Sequence, residues 1–249
     1  MEENDLKVKI LGCGDAFGSG GRFNTCFYLQ GFDRHILIDC GASALISMKK
    51  FSIKLEKIEY IILSHLHGDH FGGLPFYFLD AQFNQKREEP LTIIGPQGTE
   101  EKVREITSLL YPGTDLDSFD YQVHFREYDS NENIELKNLK LTTFPVIHSE
   151  DAMPHGLRLR IENKIFAFSG DTEWTEALID LSKDADLFIC ESNYYNKKAS
   201  NHLDYHTIMT HKKRFSCKKI ILNHLGDEMI SKIEELDLKC AFDGQEIII

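Results

Sequence analysis

The sequence predicts an α/β protein built as two packed sheets with helices outside. Two observations lead there. Short apolar runs that read as strands come first in succession, and later ones alternate with helical segments. At 249 residues, 42% hydrophobic and 27% charged, the chain is long enough and apolar enough to bury a two-layer core without disulfide staples. Residues 1–249 are expected to form a single domain, since no repeat, low-complexity tract or linker interrupts the chain.

Lys7–Leu11, Thr25–Leu29 and His35–Ile38 read as three early strands, the last two a hairpin around Gly31. Ala42–Lys50 follows as a helix, and Ile58–Leu63, apolar at nearly every position, as a strand buried on both faces. Gly72-Gly73 leads into a helix entered through Pro75. Leu91–Ile94 is a strand, then Thr99–Leu110 a helix. Tyr121–Tyr128, Leu139–Pro145, Leu157–Ile161 and Lys164–Phe168 are strands. Thr172–Leu181, His206–Phe215 and Met229–Leu236 carry helical patterns. They alternate with strands at Leu187–Cys190, Lys219–Leu222 and Ile247–Ile249.

Charge and cysteines exclude several classes. Against 28 Lys and Arg stand 40 Asp and Glu, a net charge of −12, which argues against nucleic acid bound over the whole surface. None of the six cysteines lies in a C-x-x-C pair, so zinc fingers and thioredoxin-like motifs are excluded. The acidic start Met1-Glu2-Glu3-Asn4-Asp5 does not read as a signal peptide, and no apolar run approaches the roughly 20 residues that span a bilayer. A cytoplasmic protein with free thiols is expected, with no membrane partner.

The densest chemistry is His65-Leu66-His67-Gly68-Asp69-His70, directly after the strand Ile58–Leu63. Imidazole and carboxylate suit Zn, Mn or Fe. One tight loop cannot aim four side chains at one ion. His65 and His67 share a parity while Asp69 and His70 point elsewhere, which suits two adjacent ions. Gly68 is expected to let the loop turn where a side chain would obstruct it. Further ligand candidates follow later strands: His148, Asp171 in Ser169-Gly170-Asp171-Thr172, and His224 in Asn223-His224-Leu225-Gly226-Asp227. Asp39 could accept from a ligand N–H, or it could cap the turn that follows its strand.

The hexapeptide matches the H-x-H-x-D-H signature of the metallo-β-lactamase superfamily, and the later His, Asp and His come in that superfamily's order. Leu11-Gly12-Cys13-Gly14-Asp15-Ala16 and Ile38-Asp39-Cys40-Gly41 also resemble its first strands. The resemblance covers nearly the whole chain. It implies a four-layer αββα sandwich with two divalent transition-metal ions, Zn foremost and Mn or Fe as alternatives. It further implies that His65, His67 and His148 bind one ion, that Asp69, His70 and His224 bind the other, and that Asp171 bridges them. Two such ions outweigh the two carboxylates, so the pocket is cationic and prefers an anionic substrate. They lower the pKa of bound water to about 7, giving a hydroxide nucleophile at neutral pH without Ser or Cys. Asp69 could orient it.

Three features resemble the ribonuclease Z and cyclic-phosphodiesterase branch. They are the S-G-D-T around Asp171, the run Leu91-Thr92-Ile93-Ile94-Gly95-Pro96 followed by Gly98, and Glu191 with His202 between Asp171 and His224. The resemblance implies that His202 protonates the departing alkoxide while Glu191 holds its charged form. His206, four residues on, is the alternative donor. Two departures stand out. Only Ser149 to Gly170 separates His148 from Asp171, too few residues for strands plus the tRNA-gripping arm of ribonuclease Z. Cys190-Glu191-Ser192-Asn193 also replaces its His-Glu-Ala-Thr motif. The pattern looks more like the small cyclic phosphodiesterases, including the phosphoribosyl cyclic phosphodiesterase.

The expected function is therefore a metal-dependent hydrolase, a phosphodiesterase acting on a small or cyclic phosphodiester. The alternatives are a ribonuclease Z-like endoribonuclease and a thioesterase or lactonase of the same superfamily. Relatives of this kind are often dimers, so a homodimer is possible. The stretch Lys197–Lys219 carries seven basic residues and, as its only acid, Asp204. It reads as a phosphate-guiding rim that would favour RNA, or as the solvated face of a helix. In the glycine-rich run Gly12–Arg22, backbone N–H groups could line a phosphate and Arg22 could grip one, or the run is a loop beside the site. It is no P-loop, since no Gly-Lys-Ser/Thr follows. Phe17 and Phe23 could stack on a base or pack in the core.

Overall fold

The computed structural model describes residues 5–249. The acidic opening at 1–4 lies outside the described residues. Among the described residues, thirteen strands form two sheets. The first contains β1 (Lys7–Gly12), β2 (Cys26–Gly31), β3 (Arg34–Ile38), β4 (Tyr60–Ile62), β5 (Leu91–Pro96), β6 (Val123–Tyr128) and β13 (Glu246–Ile248), in the order β13-β1-β2-β3-β4-β5-β6. The second contains β7 (Asn133–Leu136), β8 (Leu139–Pro145), β9 (His155–Ile161), β10 (Lys164–Phe168), β11 (Leu187–Glu191) and β12 (Ile220–Asn223), in the order β12-β11-β10-β9-β8-β7.

Parallel pairing requires crossovers, and helices supply them. α1 (Ala44–Lys50) joins β3 to β4, and α2 (Gly68–Phe71) and α3 (Leu74–Leu79) join β4 to β5. α4 (Thr99–Leu110) leads to β6. In the second sheet α5 (Ala177–Ser182) and α6 (Tyr205–His211) serve β10, β11 and β12, and α7 (Asp227–Ser231) follows.

Strand alternation makes the layers. In β1, Val8 and Ile10 point to the inter-sheet core while Lys7 and Lys9 point out. Phe27 of the first sheet meets Phe168 of the second edge-to-face at 5.1 Å between ring centroids. Leu37, Ile61 and Ile93 face outward under Met48, Leu74 and Val103 of the helices. Phe188, Cys190 and Leu222 lie under Leu178, Ile208 and Met229. The result is the expected four-layer αββα sandwich. All six cysteines are free, and among the described residues no helix is long and apolar enough to cross a membrane.

The differences from expectation have local causes. Thr172–Glu176 is not helical; only Ala177–Ser182 is. The backbone N–H of Thr172 is held by Glu191, the Thr172 hydroxyl accepts from Ile147 N–H, and Glu173 N–H donates to Ile147 C=O at 2.7 Å, so that stretch is tied to the His148 loop. The strand β7 escapes the sequence pattern because only Ile134 of its four residues is buried. α6 starts at Tyr205, capped by the Asp204 carboxylate accepting from Thr207 N–H at 2.9 Å.

Gly68 does not play the expected part. A Cβ there would meet nothing within 4 Å. The tight positions are Gly41 and Gly73. A Cβ on Gly41 would overlap the Asp69 carbonyl, and one on Gly73 would overlap the Gly41 carbonyl. Their lack of side chains lets α2 sit directly on the turn after β3, where Cys40 N–H donates to His70 C=O at 2.6 Å and Gly73 N–H to Cys40 C=O at 2.8 Å. Gly41→Ala should therefore lower the urea midpoint by the equivalent of about 1–3 kcal/mol. Gly68→Ala should shift it by less than about 0.5 kcal/mol.

Candidate metal centre

The candidate ligands converge where parallel strands end, the usual place for a site in an open α/β sheet. Asp39 follows β3, His65 follows β4, His148 follows β8, Asp171 follows β10 and His224 follows β12. The loop after β4 is pinned across the two sheets: Leu66 N–H donates to Ala152 C=O at 2.8 Å and His155 N–H to Ser64 C=O at 3.0 Å. His67 has extended backbone and closes that loop, while Asp69 and His70 lie in the first turn of α2. The two pairs join different donor groups, although the His65 and His70 rings lie only 4.0 Å apart.

Three groups result, each with one donor atom per residue within 4.8 Å of the others; His148, Asp171 and His202 form the third, and the other two hold the expected ligands. One is His65, His67 and His148; the other is Asp69, His70, Asp171 and His224. In the first, His67 Nδ1 and His148 Nε2 are 3.0 Å apart. In the second, His224 Nε2 lies 3.1 Å from Asp171 Oδ2, and His70 Nε2 lies 3.1 Å from Asp69 Oδ2 and 3.4 Å from Asp171 Oδ2. Asp171 Oδ2 is also 3.8 Å from His65 Nε2, so one carboxylate touches both groups.

These residues fit divalent ions on their own geometry. His65 Nε2, His70 Nε2 and Asp171 Oδ1 are buried without a hydrogen-bond partner. His70 Nε2 is close to two carboxylates, yet the angles make no hydrogen bond. Buried polar atoms without partners are costly in a native protein, and a cation shared by this cluster would satisfy all three.

Outer contacts aim the rings. His70 Nδ1–H donates to Asp39 Oδ2 at 2.7 Å, and Asp39 is itself held by Ser64 N–H and Oγ at 2.7 and 2.8 Å. His148 Nδ1–H donates to the Asn201 carbonyl at 2.6 Å, which leaves Nε2 as a bare lone pair. His65 Nδ1 meets Ser64 Oγ at 3.0 Å and His224 Nδ1 meets Thr25 Oγ1 at 3.2 Å. Such contacts typically carry 10–100-fold in metal affinity. Asp39 has φ 57°, a conformation Asn also tolerates. Asp39→Asn should thus keep the fold and weaken metal retention by about 10–100-fold in chelator competition.

Charge follows the same division. Burial keeps the His65 and His67 imidazoles below their usual pKa, and holds His148 down to about 4, in the neutral form a ligand needs. Burial also acts on His70, but Asp171, Asp69 and Asp39 outweigh it and push that ring well up. A position that gathers positive charge among three carboxylates is one that attracts a cation.

Beside the cluster, His202 Nδ1 lies 3.1 and 3.3 Å from the two oxygens of the buried Glu191 carboxylate. Glu191 also accepts from the backbone N–H groups of Leu203 and Thr172, tying the His202 loop to the Asp171 loop. The His202 ring is 5.0 Å from that of His148 and stacks on that of His224 at 5.4 Å. Burial opposes its charged form, but Glu191 prevails and raises it to about 9; nearby dications would push it back down. His206 is exposed on α6 against Tyr195, away from the ligand groups.

Other candidates are not brought to the centre. Arg22 donates to Cys13 Sγ at 2.9 Å and Ala241 C=O at 2.8 Å, anchoring the glycine-rich run rather than reaching for a phosphate. Phe23 packs edge-on against Phe51, whereas Phe17, 93% exposed, is not core. In the basic stretch, Arg214 pairs with Glu176 and Lys218 with Asp186 at 2.7 Å, so part of it is a solvated, internally paired face. Sequence reasoning did not single out Thr25, Ser64, Glu173 or Asn201. Glu173 Oε1 accepts from Asn201 N–H at 2.8 Å, and Asn201 in turn steers His148. Only Asn201 carried a hint: Asn tolerates left-handed backbone, and its φ is 75°.

The sequence profile described as Anti-Pycsar protein Apyc1 matches residues 6–246. The chain belongs to that family. Among curated proteins, a ribonuclease Z of Clostridium acetobutylicum is 30% identical over 166 residues, 64% of this chain and 52% of the relative. The chain thus spans about half the length of that relative. The metallo-hydrolase YhfI of Bacillus subtilis is 23% identical over 96% of this chain and 95% of its own. The solved YhfI structure superposes with a TM-score of 0.81, 19% identity, and coverage of 99% and 100% of the two chains. Human tRNase Z, short form, superposes at 0.78 with 22% identity over 97% and 98%. The chain shares the metallo-β-lactamase fold of the solved YhfI structure, and it is a metal-dependent hydrolase of the ribonuclease Z-like branch.

Proposed function

We propose that this hydrolase is a dinuclear phosphodiesterase acting on a small or cyclic phosphodiester. In this reading His65, His67 and His148 hold one ion, Asp69, His70 and His224 the other, and Asp171 both, with Zn favoured by the nitrogen-rich donor set. The observation that carries it is the Glu191–His202 pair set against the ligand cluster: a thiolate leaves a thioester without a separate acid, while a departing alkoxide requires one. Two divalent ions, if held there, would supply an activated water and neutralise the phosphoryl oxygens. The chain's own residues do the rest. Asp69 orients the attacking water. His202 donates the proton from Nε2 to the leaving oxygen, and Glu191 fixes the ring through Nδ1–H.

The small-substrate reading rests on the segment between His148 and Asp171. A 3₁₀ turn at Glu150–Ala152, β9, β10 and their two-residue turn account for nearly all of it. That leaves no arm to grip a folded RNA. An RNA substrate is the second reading, favoured by the curated relatives named ribonuclease Z.

Metal-loaded protein should be offered bis(p-nitrophenyl) phosphate, a hairpin RNA and an acyl thioester in parallel. Turnover of the diester with little RNA cleavage supports the proposal. Turnover of the thioester alone would overturn it.

A further inference from the structure

α5 is only six residues long, and it lies across β8, β9 and β10. It packs tightly there: a Cβ on Gly156 of β9 would come within 2.7 Å of Leu181 Cδ2. At its C-terminal end a groove of about 370 Å³ opens on the outer face of the second sheet. Strands β8 and β9 supply Lys140, Thr142, Arg158 and Arg160 to it, and the end of α5 supplies Asp180 and Lys183. None of these belongs to the candidate ligand groups.

The strand register concentrates positive charge in this groove. Lys140 is paired with Arg160, and Thr142 with Arg158. Residues two apart on a strand share a face, so the four side chains stand together. Like charges directly opposite are destabilising. Glu135 offsets this in part, 3.6 Å from Lys140, but it is an exposed partner. Arg158 donates to the Leu181 carbonyl at 2.8 Å, its one side-chain bond among the described residues. Arg160 and Lys183 make none there. Burial and the neighbouring Arg160 both act against the charge on Arg158, and Asp184 only partly offsets them. Four cations thus face one lining carboxylate, Asp180, in a chain whose net charge is −12. Asn133, also in the lining, accepts from the Thr142 hydroxyl through Oδ1 at 2.9 Å, which leaves its amide N–H groups to donate.

We propose that this groove is an anion site separate from the metal centre, and that it takes a phosphate group, free or as a small monoester. Two guanidinium groups offer paired N–H donors that match phosphate oxygens, and the two ammonium groups add charge without fixed direction. Such a dianion relieves the opposed Lys140 and Arg160 charges. The volume suits a small molecule rather than a polymer. Phe144, beside Thr142 in the lining, offers a flat apolar surface to the organic part of an ester. The assignment does not depend on the phosphodiesterase reading.

Arginine Nε–H signals in nitrogen-15 NMR spectra of zinc-loaded protein read the groove directly, whatever binds at the metal centre. Arg158→Lys and Arg160→Gln assign the two signals. Titration with inorganic phosphate and with phenyl phosphate should shift both saturably, while chloride at matched ionic strength should not. Arg160 makes no side-chain bond, so Arg160→Gln keeps the fold, and it should weaken the shift at Arg158 about tenfold in affinity, the loss of a charge-assisted hydrogen bond. Tighter binding of phenyl phosphate marks the occupant as an organic ester, and equal binding marks it as free phosphate. Signals that ignore both phosphates, shifts that chloride reproduces, or an affinity unchanged in Arg160→Gln would overturn the site.

Discussion

Asp171→Ala is expected to reduce bound metal from two ions per chain to one or fewer, and to remove measurable hydrolysis with it. Asp171 is buried, its Oδ1 has no hydrogen-bond partner, and its Oδ2 lies within 3.8 Å of His65, His70 and His224. Among the described residues, no other carboxylate lies within 4 Å of histidines of both ligand groups. Removing it would leave two cations facing each other with one fewer anion between them. Leaving a buried charge uncompensated costs about 3–5 kcal/mol, roughly 10²–10⁴-fold in affinity. Elemental analysis after dialysis against a mild chelator reads this directly. Asp171→Asn, which keeps the shape, should lose metal as well. Two ions retained in both variants would show that Asp171 does not bridge.

His202→Ala is expected to keep both ions and lose about 10²–10⁴ in kcat, the usual worth of a positioned general acid. The loss should depend on the leaving group. A p-nitrophenolate departs as a stable anion and needs no proton, so its diester should be hydrolysed nearly as fast by the variant. A sugar alkoxide cannot leave that way, and turnover of the dinucleotide UpU should fall steeply. Equal losses on both would make His202 a structural residue that merely supports His148 and His224. His206→Ala should change neither substrate, since that ring lies exposed on α6.

The sequence was most legible where the chemistry is local. Four ligand candidates sit in six residues, and the backbone that is extended at His67 and helical from Gly68 divides them between two groups. The later ligands were legible because they follow apolar strands. What was not legible depends on contacts between distant segments. The Asn201 carbonyl under His148, 53 residues away, and Thr25 Oγ1 against His224, 199 away, are products of the packing of two sheets. The non-helical Thr172–Glu176 is of the same kind, because its backbone partners are Ile147 and Glu191. Gly41 and Gly73 show the converse: a crowded position is visible only once the segment that crowds it is in place.

The measurement closest to the central claim is the steady-state hydrolysis of bis(p-nitrophenyl) phosphate by protein whose metal content is determined in the same sample. The account predicts turnover that rises with loading up to two ions per chain, disappears with chelator, and returns on adding Zn or Mn. Protein carrying two ions per chain that leaves the diester intact would contradict it.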